Sequence, residues 1–236
     1  MIDLHAHILP NMDDGSRSVA ESIRMLEASA DQGVKYIAAT PHFYAAENSP
    51  AQFLRRREMS AAMLRPVWQS RFPQLALGAE VYYFDGISRT QELDLLKLEH
   101  TDLLLLEMPF SAWTGRMVAE LLELQGCRNT TVVLAHIERY LAFQKPEVWR
   151  KLLDGGVRMQ CNAEFFLHWR TRRKALRMLR QGKVHFLGSD CHNMEARPPR
   201  LGEAMEAIDK AMGAAGRHIL DREAAVLLAG SGGALM

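Results

Sequence analysis

The sequence predicts a single α/β domain built on a parallel sheet, open or closed into a barrel. Three observations predict it. Short apolar runs alternate with helix-period segments about seven times along the chain, the order that a parallel sheet with crossover helices requires. No Pro/Gly-rich linker and no long structureless stretch interrupts that alternation. The 236 residues, 48% hydrophobic and 24% charged, suffice for one large core of ordinary composition. The domain is expected to span residues 1–230, with 231–236 a frayed tail.

The first run, Ile2-Asp3-Leu4-His5-Ala6-His7, reads as a strand. Alternation puts His5 and His7 on one face with Asp3, the two histidines ~7 Å apart by strand rise. Asp13-Asp14-Gly15 follows as a carboxylate pair on a tight turn. Ser18-Val19-Ala20-Glu21 is a capping box that opens a helix with Val19, Ile23, Leu26 and Ala30 on one side, and Gly33 is its stop. Residues 36–40 form a buried strand, and 50–70 a charged helical region carrying Leu54, Met59, Ala62 and Met63. Strand 75–80 comes next. Residues 93–97 are too short to assign, 102–107 are a strand and 118–124 a helix.

In the second half, the β-branched run 131–135 is a strand. Helix 146–153 ends at Gly155-Gly156, and strand 158–162 follows. Helix 172–181 turns Leu176 and Leu179 inward and stops at Gly182. Residues 185–189 make the last strand, and helices 201–212 and 222–228 close the chain.

Bulk properties exclude several function classes. A net charge of +1 gives no global field toward nucleic acid or anionic lipid. Cys127, Cys161 and Cys191 are too few and too scattered for a disulfide framework. The chain opens directly into Ile2-Asp3-Leu4-His5 with no basic or apolar leader, so a cytoplasmic protein is expected. The longest aliphatic run, residues 103–106, falls far short of the ~20 residues of a membrane span. Arginines crowd residues 170–180 and 55–57; without interleaved aromatics these read as solvated helix faces, or as surfaces that steer an acidic phosphorylated partner, rather than as nucleic-acid sites.

The chemistry lies at the strand ends. His5 and His7 end the first strand, His42 follows the second, and Glu80, Glu107, His136 and Asn162 end the next four. Asp190 and His192 end the last. In parallel α/β folds these ends share one rim. With Asp14, the set His5, His7, His42, Glu80, Glu107, His136, Asp190 and His192 exceeds the four to six ligands of one ion. Two or three ions fit, with Glu80 and Glu107 as bridges. Such paired ions clamp phosphoryl groups and activate water. Arg139, three residues after His136, and Arg197, seven after Asp190, are placed to bind phosphate bidentately.

These residues carry a resemblance. The segments MIDLHAHILPNMDDG, ATPH, GAEVYY, HIERY and SDCHNMEARPP resemble the PHP (polymerase and histidinol phosphatase) superfamily. They are most similar to the manganese-dependent protein-tyrosine phosphatases of bacterial capsular and extracellular polysaccharide loci, in order and over nearly the whole chain. The resemblance implies a distorted (β/α)7 TIM-like barrel and a trinuclear centre. It implies His5, His7, Glu80 and Asp190 around one ion, Glu80, Glu107 and His136 around a second, and Asp14, His42 and His192 around a third. It further implies manganese as the metal, with Fe, Zn, Co or Mg as alternatives, and Arg139 and Arg197 on the phosphate. The implied substrate is a tyrosine-phosphorylated protein, the tail of a bacterial tyrosine kinase that controls polysaccharide export. A small phosphomonoester such as histidinol phosphate is the alternative.

Cys191 departs from the expected small or apolar residue. It also opens a C-x5-R spacing with Arg197, that of cysteine-dependent tyrosine phosphatases. The intervening His-Asn-Met-Glu-Ala lacks glycine and carries Glu195, and Pro198-Pro199 removes amide donors after the arginine, which argues against a phosphate cradle. Tyr82-Tyr83 are candidates to line a pocket for a phenyl ring.

Overall fold

The computed structural model describes residues 1–126 and 129–230, with side chains through residue 222. Cys127 and the expected tail 231–236 lie outside the described residues. The elements are β1 (Ile2–Ala6), α1 (Val19–Asp31), β2 (Tyr36–Ala39), β3 (His42–Phe43), α2 (Pro50–Leu64), β4 (Gln74–Leu77), β5 (Glu80–Tyr82), β6 (Leu103–Glu107) and α3 (Gly115–Gly126). They continue with β7 (Thr131–Leu134), α4 (Pro146–Asp154), β8 (Arg158–Asn162), α5 (Ala163–Leu167), α6 (Arg172–Arg180), β9 (Phe186–Gly188), α7 (Leu201–Met212) and α8 (Ala214–Gly230).

Every strand pairing is parallel, in two ladders of order β1-β2-β4 and β3-β5-β6-β7-β8-β9. The ladders are one curled sheet. β2 runs into β3 after Thr40-Pro41, and β4 into β5 after Gly78-Ala79, so the expected strands 36–40 and 75–80 are each interrupted. The curl returns to β1 through backbone bonds, Asp190 N–H to His5 O at 2.7 Å and His7 N–H to Cys191 O at 2.9 Å. The described strands thus occupy seven positions around one axis. The unassigned stretch 93–97 lies in a 3-10 turn, Gln91–Leu96, and its last residue, Lys97, caps that turn. The short helix α5 was not foreseen; Ala163-Glu164-Phe165-Phe166-Leu167 continues directly from β8 without a turn residue.

Strand parity divides the core. Leu4, Leu103, Leu105, Val133, Ala135 and Phe186 pack together inside the curl. Their neighbours Leu104, Leu106, Val132 and Leu134 face the outer helices. One irregularity sets the site. β1 pairs Asp3 with Ile37 but Ala6 with Ala39, a bulge that inserts one extra residue. Leu4 therefore joins the inner core while His5 joins the polar cluster at the mouth. The expectation that Asp3 shares the face of His5 and His7 is corrected by the same bulge: Asp3 is buried aside, its Oδ1 accepting from the backbone N–H of Ser189 (2.8 Å) and His5 (3.3 Å).

Helix starts follow their local chemistry. Ser49 and Gln52 form a complete capping box with Pro50 in the first turn. At α1 the Ser18 hydroxyl accepts from Glu21 N–H, but Glu21 accepts from Arg17 N–H instead of returning to Ser18. Only half of that expected box forms.

Candidate metal centre

The carboxyl ends of the strands gather the expected side chains at one mouth. Glu80, at the start of β5, is buried and sits at their centre. Its Oε2 lies 3.1 Å from His5 Nε2, 3.4 Å from His7 Nε2 and 3.0 Å from His42 Nδ1, while Oε1 lies 2.8 Å from His136 Nε2. Asp190 Oδ1 lies 3.6 Å from His5 Nε2 and 3.5 Å from His7 Nε2. Glu107 reaches His136 Nε2 at 3.5 Å with one oxygen and His42 Nδ1 at 3.8 Å with the other. Asp14, the most exposed member, lies 3.5 Å from His42 Nε2 and 3.4 Å from His192 Nε2. All nine expected ligands are brought together. Eight of them resolve into three groups of converging ligand atoms: His5, His7 and Asp190; His42, Glu80 and Glu107; and His7, Asp14, His42 and His192; His136 stands beside Glu80 and Glu107.

The donor chemistry fits divalent cations. Ligand atoms ~2.1 Å from one ion stand ~3.0–3.4 Å apart in octahedral or tetrahedral geometry, close to the spacings around His5, His7, Glu80 and Asp190. The Nε2 atoms of His5 and His7 face each other at 3.1 Å, and their opposite nitrogens are committed elsewhere. His5 Nδ1–H donates to Gln160 Oε1 (3.3 Å), His7 Nδ1–H to Asp13 Oδ2 (2.7 Å) and His192 Nδ1–H to the Asp190 carbonyl (3.0 Å). Each ring so held presents an Nε2 lone pair inward, the arrangement typical of metal-ligating histidine. Buried Glu80 Oε2, His42 Nδ1 and His192 Nε2 have no hydrogen-bond partner. Atoms that converge without pairing suit a shared cation.

Supporting residues come from two signals that ligand counting passes over. Asp13, not only Asp14, belongs to the site: besides His7 it accepts from Gly15 N–H (2.9 Å) and His42 N–H (3.0 Å). Gln160 accepts from His5 and from the backbone N–H of His136 (2.7 Å), and donates to Asn162 Oδ1 (3.0 Å). Asn162 in turn donates to Asp190 Oδ2 (2.7 Å). One amide chain thus aligns ligands from three strand positions. Period two in β8 places Gln160 and Asn162 on the same side, polar in an otherwise apolar strand, and that was the available signal.

The backbone is strained where ligands leave the sheet. His136 (φ 31°) and Asp190 (φ 52°) adopt left-handed conformations, uncommon for non-glycine residues and concentrated at functional sites. Gly188 is required by contact. A Cβ there would stand 2.5 Å from His5 Cβ and 2.8 Å from Gln160 Nε2.

Electrostatics follow from crowding. Burial opposes charge on His7, but Asp13 and then Glu80 outweigh it and push the imidazole up to about 10. Burial, then the neighbouring Glu80 charge, pushes the Glu107 carboxyl up to about 7. Burial and the charge of His7 push His192 down to about 4. Asp190 is held well below the usual carboxylate range, because His5, His7 and Arg139 outweigh its burial.

Arg139 and Arg197 reach the same rim. Each places an Nη2 at 2.6 Å from Asp190 Oδ2, and each is 37% exposed, so both rest on a site carboxylate with further N–H groups free at the mouth. The Cys191 thiol is fully buried, and burial together with Asp3 pushes its pKa far up. It is neither a ligand nor a phosphate-facing nucleophile. Of the tyrosine pair, Tyr82 packs against Tyr44 (5.6 Å), whereas Tyr83 is buried with its hydroxyl donating to Glu120 (2.9 Å). Two rim aromatics escaped sequence reasoning. Tyr44 stacks on His42 (5.4 Å), and the exposed Phe110 stacks beside His136 (6.1 Å) and Tyr140 (5.5 Å).

Comparison with known proteins agrees with this geometry. The family described as capsular polysaccharide synthesis, CpsB/CapC, matches residues 1–228. The tyrosine-protein phosphatase CpsB of Streptococcus pneumoniae is 33% identical over 231 residues, covering 91% of this chain and 92% of that one. The tyrosine-protein phosphatase YwqE of Bacillus subtilis is 29% identical over 236 residues, 97% of this chain and 91% of that one. Solved structures described as YwqE from Bacillus subtilis and CpsB from Streptococcus pneumoniae, unique metal-dependent tyrosine phosphatases, provide a match with a TM-score of 0.84 at 27% identity, over 98% of this chain and 95% of that chain.

Proposed function

The chain belongs to the CpsB/CapC family of capsular polysaccharide synthesis, and on that footing we propose how it acts: it is a metal-dependent tyrosine-protein phosphatase, a phosphoric monoester hydrolase. What supports the site assignment is the convergence of three imidazole nitrogens on Glu80 Oε2, at 3.0, 3.1 and 3.4 Å, with no hydrogen bond formed. His5, His7, Glu80 and Asp190 would hold one ion, Glu80, Glu107 and His136 a second, and Asp14, His42 and His192 a third. Manganese is the native metal in this reading. Bound divalent ions at such a centre lower the pKa of a coordinated water from ~15.7 toward ~7 and neutralise phosphoryl charge.

The chain's own groups do the rest. Gln160 and Asp13 fix the tautomers of His5 and His7. Arg139 and Arg197, anchored on Asp190, turn their remaining N–H groups to the phosphate, which the guanidinium fork matches bidentately. Phe110 beside His136 and Tyr44 beside His42 put an aromatic ring at each edge of the Glu80–Glu107 pair, and the phenyl ring of the substrate packs between them. The partner is a tyrosine-phosphorylated protein, in our reading the tail of a bacterial tyrosine kinase. The chain works as one domain over residues 1–230, in the cytoplasm. Among the described residues no helix is long and apolar enough to cross a membrane.

The test is hydrolysis of a phosphotyrosine peptide, a phosphoserine peptide and histidinol phosphate after chelation, with metals restored one at a time. Phosphotyrosine turnover that disappears with chelation and returns best with manganese is expected. Full activity in a metal-free preparation sinks the mechanism, and preference for histidinol phosphate sinks the substrate class.

A further inference from the structure

A second concave feature lies on the outside of the molecule, below the mouth. Between α4 and α6 lies a cleft of about 540 Å³, within the range of small-ligand sites. Its floor is apolar, with Ile137, Met159 and Met178 buried and Trp149 half-buried. Its walls carry Arg150, Lys174, Arg177 and Lys183 against a single carboxylate, Asp154. All four cations are exposed, and none forms an ion pair among the described residues. Four cations against one carboxylate, over an apolar floor, give the cleft a positively charged wall.

Its position connects it to the reaction. The turn Ile137–Tyr140 sends Arg139 to Asp190 on one side and Ile137 into the cleft on the other. Gln144, at the upper end, is pinned by bonds to Ser111 O (2.7 Å) and from Trp113 N–H (3.1 Å). α4 and α6 both start near the mouth and run away from it, because each precedes the next parallel strand. Nine residues of helix make a trough ~13 Å long, the span of about four extended residues. That shape suits a chain segment better than a compact metabolite.

We propose that this cleft is an exosite for the segment flanking the phosphotyrosine, and that the segment is acidic with an apolar side chain for the floor. The proposal rests on the phosphatase reading and adds the character of the substrate's flank. Acidic residues meet Arg150, Lys174, Arg177 and Lys183, while the apolar residue packs on Trp149 and Met159. Dispersed over several residues, these contacts contribute to KM and not to the chemical step.

The experiment uses the full chain with manganese and three substrates: a phosphotyrosine peptide with an acidic flank, the same peptide with a Gly/Ser flank, and p-nitrophenyl phosphate. The double variant Lys174→Glu/Arg177→Glu is expected to raise KM about tenfold for the acidic peptide alone, with kcat unchanged. The parent's preference for that peptide is expected to fall with added salt. Independently, an unphosphorylated acidic peptide is expected to change Trp149 fluorescence, a change that Trp149→Phe removes. Equal KM ratios in parent and variant overturn the exosite, as does stronger fluorescence response to a single-stranded oligonucleotide than to the peptide. A parent that hydrolyses none of the three substrates overturns the phosphatase reading instead, while the fluorescence arm still reports on the cleft.

Discussion

Asp13 holds His7 Nδ1 at 2.7 Å, and replacing it with alanine leaves the ring free to rotate and to change tautomer. Loss of such a partner lowers metal affinity or activity ~10–100-fold, so Asp13→Ala is expected to need that much more manganese for half-maximal phosphotyrosine hydrolysis. An unchanged metal titration would show that the contact is incidental. Asp3 gives a pH prediction. Burial pushes its carboxyl from 3.8 up to about 6, so the folded chain holds that proton more tightly than the unfolded one. The resulting stability is fully present below pH 3.8 and is lost as pH rises through about 6, ~3 kcal/mol in all. Asp3→Asn keeps the oxygen that accepts from Ser189 and His5 and removes the charge, so melting of the metal-free variant should fall less between pH 4.5 and 7.5 than that of the parent. Identical slopes would contradict the assignment. At this scale the nine candidate ligands that the structure gathers at one mouth were legible, because each sits at the end of an apolar strand or on the turn after one. Asp13 was not distinguishable from Asp14, since two adjacent carboxylates on a turn diverge only once the turn is built. Phe110 and Tyr44 lie in loops, where no period marks them.

At the scale of elements, residue order along the chain was readable and the detailed path was not. α4, α7 and β8 lie close to where hydrophobic period and turn residues put them. The breaks between β2 and β3 and between β4 and β5 were invisible, because Thr40-Pro41 and Gly78-Ala79 interrupt pairing without interrupting the apolar run. The β1 bulge was invisible for a related reason: alternation is a rule about unbroken ladders, and one inserted residue reverses it. β9 offers a test of how tightly the elements fit. A Cβ at Gly188 meets His5 and Gln160, so Gly188→Ala is expected to destabilise the fold by ~1–3 kcal/mol and to weaken manganese binding together with it. Calorimetric titration and thermal melting of the same preparation check both. A variant with parental metal affinity means that His5 tolerates the displacement.

For the whole molecule, the seven strand positions converge on one charged mouth over an apolar interior, and ions bound there would act as ligands of the folded state alone. Manganese at a hundred times its dissociation constant is expected to stabilise by ~2.7 kcal/mol, read as a higher melting temperature than in chelator. Coincident melting curves would mean that the cluster binds no metal tightly. Alternation and the shared rim anticipated the parallel sheet and left it open or closed; the family resemblance implied the barrel. The residues alone could not decide closure, because the contact that completes it joins β1 to the residues after β9 through backbone atoms that carry no sequence signature.

That contact has a consequence for biosynthesis. Asp190 N–H bonds His5 O, so ligands from the first and the last strand meet only when the ribosome has released both. Bringing distant segments together is slow and entropically demanding. A nascent chain stopped before β9 lacks Asp190 and His192 and holds an incomplete cage. On the proposed reading, metal uptake requires synthesis through His192, and a product terminated earlier lacks part of the cage.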